Sequence, residues 1–394
     1  MESLVYETPT LGIDELEVLE LIDGLRQDLR FRVAVPNRWV GTLRRAAFAR
    51  AVQGSNSIEG YNASLDDVAA AVDGEPTQGA DEETQLALAG YRDAMTYVLQ
   101  VAQDEHATID EGVLKAAHFM MLKHEITKSP GRWRPGYIGV RDGQTGLVVY
   151  EGPDADAVPD LMQAMLGRLQ ADTGPVLVRA AMAHLNLVMI HPYRDGNGRM
   201  GRCLQTLVLA RERLAAPVFS SIEEYLGRNT PAYYEVLAAV GQGRWNPSRD
   251  ARPWVHFCLT AHFHQAKTQL RRIEEIEELW RVCGELAEQH RLSDRVVGAL
   301  AETAMGLRVR RGTYRTIVEA TAGESVSDLT ASRDLKALVD TGLLAPIGER
   351  RGRYYVADPA LVERRQEIRR NRAPRETLDP FVVVRQARQL ELGA

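Results

Sequence analysis

One twelve-residue stretch leaves this chain few ways to fold: His191-Pro192-Tyr193-Arg194-Asp195-Gly196-Asn197-Gly198-Arg199-Met200-Gly201-Arg202. An apolar run, Val176 to Ile190, leads into it, and a second periodic segment, Cys203 to Ala210, follows. A helix should already have ended at Pro192, which lacks an N–H and restricts the residue before it. The pattern predicts helix, tight loop, helix. Gly196, Gly198 and Gly201 let backbone amides approach a ligand closely, and successive amides at a helix start bind anions. The same residues supply one imidazole, one carboxylate, one side-chain amide and three guanidinium groups. A phosphate, a divalent cation and one base suit that set. A solvated, charged interhelical loop is the plainer alternative.

The stretch resembles the signature of the Fic family, His-Pro-Phe-x-Asp/Glu-Gly-Asn-Gly-Arg-x-x-Arg, with Tyr193 replacing the usual Phe and every other fixed position present. The resemblance implies a base, His191, that takes a proton from a target hydroxyl. It implies that Asp195 holds a divalent cation, Mg²⁺, bridging the phosphates of ATP. Asn197 with the backbone of Gly196 and Gly198 would cradle the phosphate under attack, Arg199 and Arg202 would clamp the outer phosphates, and Gly201 would be a further nucleotide-binding position. The residue chemistry agrees: imidazole titrates near neutrality, carboxylate suits Mg²⁺, and guanidinium forks match phosphate oxygens. Tyr193 can pack beneath the loop as Phe does, provided its hydroxyl finds a partner.

A second patch, Ser55-Asn56-Ser57-Ile58-Glu59-Gly60, lies upstream at the end of an expected helix. Ser55 and Glu59 are spaced to share one helical face, and Gly60 is a natural stop. The patch resembles the inhibitory motif of Fic proteins, Ser/Thr-x-x-x-Glu-Gly/Asn, in the class that carries it ahead of the catalytic core. That resemblance implies a glutamate, Glu59, paired with Arg202, denying the clamp to the triphosphate. The alternative is that Glu59 merely neutralises a nearer arginine, Arg45 or Arg50.

Between these patches the chain reads as helix after helix. Ile13 to Leu29 and about Val40 to Ser57 come first, then Ser64 to Ala71 and a polar connector, Asp73 to Gly79. Asp81 to Gln103 should bury Leu86, Ala89, Tyr91, Met95 and Leu99. His118, among apolar neighbours in the helix Ile109 to Leu122, reads as a hydrogen-bonded core histidine, and His184 as buried and structural. Tyr137 to Val140 and Leu147 to Tyr150 read as a β-hairpin, which cannot form its own core and resembles the Fic flap. Its edge would take an extended target segment as another strand. Pro217 to Leu226 and Thr230 to Val240 add helices, with Tyr233-Tyr234 either near a nucleotide base or in the core. A long helix then starts at Arg252.

A different module follows. Helices Arg291 to Ala304, Thr313 to Ala320 and Asp328 to Val339, then a hairpin from Pro346 to Val356, resemble a winged helix-turn-helix. Ser332, Arg333 and Lys336 would be its candidate DNA contacts, with Arg351 on the wing. Asp334, Asp340 and Glu349 dilute that positive face, and such modules also serve as protein-contact or dimer modules. The net charge of -6 argues against a chain wholly devoted to nucleic acid. Three cysteines, Cys203, Cys258 and Cys283, are too few for a disulfide scaffold, and no run is long and uncharged enough to span a bilayer. A cytoplasmic protein is the expectation.

The fold class expected is mainly α: a Fic-type helical core with a β-hairpin flap, then a winged helix-turn-helix. The expected divisions are an N-terminal helical region, 1–100, with the inhibitory helix at about 45–60; a catalytic core, 101–270, with the flap at 137–150; a linking helix, 271–290; the winged module, 291–360; and a charged tail, 361–394. The resemblance implies a protein adenylyltransferase acting on a Ser, Thr or Tyr hydroxyl of a target protein, itself included. The alternatives are removal of AMP or transfer of another nucleotide or phosphoryl group by the same site, or a nucleotide-sensing DNA-binding regulator. A homodimer is expected from the appended module and the apolar tail segment Pro380 to Val384, for which docking onto another domain is the alternative.

Overall fold

Short polar side chains start several helices by answering the first free amides. Ser64 accepts from Asp67 N–H at 3.0 Å, Asp81 from Thr84 N–H at 2.8 Å and Asp110 from Val113 N–H at 2.9 Å. The computed structural model describes residues 3–34, 37–143, 145–211, 221–374 and 377–392. It is mostly helical. The first helices are α1 (Ile13–Ala34), α2 (Trp39–Ile58), α3 (Leu65–Val72), α4 (Glu82–Gln103) and α5 (Glu111–Leu122). An antiparallel hairpin follows, β1 (Gly139–Arg141) with β2 (Val148–Glu151), its register interrupted between Val140 and Arg141. Then come α6 (Val158–Ala171), α7 (Val176–Ile190), α8 (Asn197–Arg211), α9 (Glu223–Arg228), α10 (Thr230–Gly241) and α11 (Arg252–Gln289).

Helix α7 is apolar almost all round, so it must be enclosed. It is: Val178, Ala181, Leu185, Leu187 and Ile190 are buried in a first core built with α4, α6, α8 and α11. Leu86 departs from expectation. It is 42% exposed, because α4 seats Ala87, Leu88, Tyr91 and Met95 inward and turns Leu86 to solvent. The first four residues of the segment Pro217 to Leu226 lie outside the described residues, and α9 begins only at Glu223.

The remaining elements are α12 (Val297–Ala304), α13 (Arg311–Ala322), α14 (Asp328–Asp340), the antiparallel pair β3 (Leu344–Ile347) and β4 (Tyr354–Ala357), α15 (Pro359–Arg370) and α16 (Pro380–Leu392). They enclose a second core around Leu300, Tyr314, Ile317, Leu335 and Leu338. That core is not made by the C-terminal residues alone. Leu29 and Val33 of α1, Val40 and Leu43 of α2, and Ile273, Ile276 and Leu279 of α11 are part of it. At Gly41 a Cβ would stand 2.8 Å from the Ala320 carbonyl, so α2 lies directly on α13. The divisions expected at 100 and 270 fall inside α4 and α11, and that at 360 inside α15. Helices α1, α2 and α11 run through both cores.

The tail forms two helices. Phe381 and Val384 are buried in the first core, Phe381 stacks on His256 at 4.2 Å, and Arg388 pairs with Asp14 and Glu17 of α1. The apolar tail segment is thus covered within its own chain, without a second copy. Among the described residues no helix is long and apolar enough to cross a membrane.

Candidate active site

The loop between α7 and α8 begins where α7 stops. His191 takes a left-handed conformation, φ 52°, with its N–H still bonded to Leu187 O at 3.0 Å. Its Nδ1 lies 3.1 Å from Val188 O, so Nδ1 carries the proton and Nε2 keeps its lone pair. Burial, with Arg134 near, lowers the imidazole to about 4, so it is neutral at pH 7.

Three contacts shape the loop beneath it. Asn197 binds the backbone of Tyr193 twice, N–H and carbonyl, each at 2.9 Å. The Tyr193 ring is buried and stacks on His118 at 3.7 Å. Its hydroxyl finds no partner among the described residues, contrary to expectation: the ring fills the space a Phe would, and the pocket offers the oxygen nothing. His118 is fully buried. Its Nδ1 accepts from Gly131 N–H at 2.8 Å, so its Nε2–H donates to Asp195 O at 3.0 Å. Gly196 has φ 75°, and a Cβ there would meet Leu122 at 3.1 Å, so only glycine makes this turn.

Arg134 belongs to the candidate site, though its sequence context did not single it out. It is buried and donates to three carbonyls, His191 at 2.8 Å, Gly136 at 2.7 Å and Pro153 at 2.5 Å, while its N–H reaches Pro192 O at 2.9 Å. One side chain thereby ties both ends of the hairpin to the residue bearing the imidazole. The only sequence signal was a cation flanked by Trp133 and Pro135.

The charged groups fall into two sets. Asp195 accepts from Gly196 N–H at 2.6 Å and faces Lys128 Nζ at 3.3 Å. Burial opposes its ionisation, but Arg199, the Gly196 amide and Lys128 outweigh burial and hold it below the usual carboxylate range. Lys128 was another residue not foreseen. Arg199 is only 1% exposed, lies over the Tyr61 ring at 5.2 Å, and has Nε and Nη1 without partners among the described residues. A buried guanidinium with unanswered donors is an anion site in waiting. Arg202 is equally buried but occupied on one side: Nε donates to Ser55 Oγ at 2.7 Å, and Nη2 to Ser55 O at 3.0 Å and Glu59 Oε1 at 2.6 Å, while Nη1 has no partner among the described residues. Burial opposes its charge; Glu59 more than restores it, so its pKa is raised.

Glu59 caps α2 and reaches over the start of α8. A Cβ on Gly198 would stand 2.6 Å from its carboxylate, so Gly198 leaves the room Glu59 fills. Arg45 pairs instead with Asp73 at 2.5 Å. Gly201 differs from the role expected for it: its missing Cβ would meet His184 at 2.6 Å, so its smallness serves the close packing of α8 on α7. His184 itself is buried between Gln205 and the Tyr233 hydroxyl. Tyr233 is core, while the Tyr234 hydroxyl donates to Ile58 O at 3.3 Å at the end of α2.

A cation would find little protein here besides Asp195. Among the described residues no group of three or more His, Cys, Asp or Glu is placed to hold a metal. One carboxylate suits Mg²⁺, which keeps waters and draws further ligands from substrate phosphates.

The other sequence candidates lie on the second core. Ser332, Arg333 and Lys336 are on the exposed face of α14; Ser332 donates to Asp328 O at 2.8 Å and Lys336 pairs with Asp340 at 2.5 Å. Asp334 does not dilute that face. It is buried, accepting from Arg295 and Tyr314, each at 2.7 Å. Acidic Glu75, from the connector after α3, lines the groove beside Arg310, Ser332 and Lys336. The Arg351 side chain lies outside the described residues.

Comparison with known proteins converges on one family. Residues 108–209 match the Fic/DOC family. The protein adenylyltransferase Fic of Nematostella vectensis is 26% identical over 249 residues, 61% of this chain and 53% of that protein. Its namesake in Drosophila yakuba is 30% identical over 228 residues, 55% and 41% of the two chains. The chain spans about half the length of such relatives or less. A Fic family protein from Desulfovibrio desulfuricans G20 superposes with a TM-score of 0.58 at 23% identity, covering 90% of this chain and 99% of that one. Fic-1 from C. elegans gives 0.52 at 19% identity, covering 66% and 73%. At these identities the structural likeness speaks to the fold.

Proposed function

From the premise that this chain carries a Fic-family domain at residues 108–209, we propose that it transfers AMP from ATP to a hydroxyl of a target protein and that Glu59 restrains the reaction. The observation that carries the reading is a neutral imidazole at His191 in the same loop as Arg199, a buried guanidinium with two unanswered donors. His191 Nε2 takes the proton of the incoming hydroxyl. The hydroxyl oxygen forms its bond to the α-phosphorus as the bond to the bridging oxygen breaks, and pyrophosphate leaves. Amides at the start of α8 and the Asn197-stiffened loop hold the phosphate under attack, Arg199 takes an outer phosphate, and Arg202 takes another once Glu59 withdraws. Asp195 would hold a divalent cation, which neutralises phosphate charge, and Lys128 would give up its share of that carboxylate. The target offers its hydroxyl from a segment laid along the hairpin, where Tyr137, Leu147, Val148 and Val149 are exposed.

Two features support the restraint. The Arg202–Glu59 pair joins positions far apart in sequence, and the carboxylate lies at the amide end of α8, where it repels an anion. Transfer of label from α-labelled ATP to protein tests the activity. His191→Ala should abolish transfer while equilibrium nucleotide binding persists; transfer retained by the variant would remove the base assignment.

A further inference from the structure

A cavity of about 520 Å³ opens between α2, α11 and α15. One wall is apolar, formed by Leu43, Ala47, Ile276, Leu279 and Met305. The rest is arginine. Arg50 projects from α2 and Arg228 from α9; Arg271 and Arg272 come from α11; Arg365, Arg369 and Arg372 come from α15 and the residues just past it.

Neutralisation of these charges is incomplete. Glu224 takes Arg272 at 2.5 Å and Arg228 at 2.6 Å. Glu275 takes Arg365 at 2.7 Å and Arg372 at 3.0 Å, with Arg369 at 3.8 Å, and Glu274 reaches only Arg372, at 3.5 Å. Among the described residues three carboxylates therefore face seven guanidinium groups. Arg50 Nε is buried without an acceptor among the described residues, and so is Arg372 Nε. Burial, and then the nearby Arg272, disfavour the charged form of Arg50. Like charges crowded into a partly buried space cost stability unless a counter-ion relieves them.

We propose that this cavity is a binding site for the polyphosphate group of a small anion, distinct from the loop between α7 and α8. Arginine forks match phosphate oxygens in pairs, and several converge here on one volume. The volume, about 520 Å³, is that of a small-molecule site. The apolar wall lies where a base or sugar attached to the phosphates would rest. Arg50 stands on the same helix as Ser55 and Glu59, so an occupant braces the helix that closes the candidate active site.

Inorganic tripolyphosphate is the probe, titrated calorimetrically into the full chain at low and moderate salt. Binding should be saturable, weaken with salt, persist in Arg199→Ala, and fall at least tenfold in both Arg50→Gln and Arg369→Glu. The exposed position of Arg369 makes the second variant safe for folding. Arg50→Gln should also raise the melting temperature of the unliganded protein, because it removes an unrelieved charge. A parallel titration with ATP in the Arg199→Ala background distinguishes the sources. Tighter binding than tripolyphosphate supports a nucleotide using the apolar wall; equal binding supports the phosphate chain alone. No binding in Arg199→Ala, or binding that Arg50→Gln and Arg369→Glu leave unchanged, overturns the proposal.

Discussion

Replacing Glu59 by glycine should make the protein faster and less stable at once. Arg202 is fully buried, and of its donors Nε and one Nη2 bond serve Ser55 while the other Nη2 bond serves Glu59 at 2.6 Å. In Glu59→Gly the Ser55 contacts still orient the guanidinium, and its outer edge becomes available to a phosphate. A charge-assisted hydrogen bond is worth about 1.5–3 kcal/mol. The Glu59 side chain is 26% exposed, so solvent screening favours the lower part of that range. At about 1.4 kcal/mol per tenfold, the initial rate of AMP incorporation should rise roughly ten- to thirtyfold under saturating ATP and Mg²⁺. Stability should move the other way, because a buried arginine loses its counter-charge. Thermal unfolding should begin lower in the variant and recover with ATP more than it does in the wild type. Glu59→Gly combined with Arg202→Ala should lose the gain in rate. Equal rates for wild type and Glu59→Gly would refute the restraint, and a fall would assign Glu59 to positioning a water or substrate, as AMP removal requires.

Other outcomes follow from the same contacts. Tyr193→Phe should stabilise the protein by about 1 kcal/mol in urea unfolding, since it deletes a buried hydroxyl without a protein partner; destabilisation would mean the hydroxyl is bonded. Arg134→Ala should lower kcat at least tenfold with nucleotide affinity little changed, because it frees the His191 carbonyl and both ends of the hairpin; Arg134→Lys should restore little, having no fork for three carbonyls. His118 is lowered to about 4 by burial, below its unfolded value near 6.5. The unfolded chain thus gains a proton first as pH falls, and unfolding at pH 5 should be easier than at pH 7 by about 2 kcal/mol from this group alone. A urea midpoint unchanged between those pH values would contradict it. With His191 likewise near 4, transfer should be flat above about pH 6 as far as this base is concerned, falling only in acid.

Local rules carried much of this protein. Proline at 192, the glycines of the loop and the apolar run before it were enough to expect helix, loop, helix, and the caps at Ser64, Asp81 and Asp110 mark helix starts by residue type alone. Spacing along α2 put Ser55 and Glu59 on one face. Charge partners followed a different logic. Asp334 read as a surface acid yet is buried under Arg295 and Tyr314, and Gly201 read as part of a phosphate loop yet lies on His184. Arg134 and Lys128 carried no periodicity or motif; only the folded chain brings Arg134 to the His191 carbonyl and Lys128 to Asp195. The division into domains was equally hidden, because α2 and α11 are each one unbroken helix whose two ends sit in different cores. Helix periodicity and capping depend on neighbours within a few residues, so sequence spells them out. Which carboxylate meets which guanidinium depends on where separate helices cross, and that is decided by packing across the whole chain.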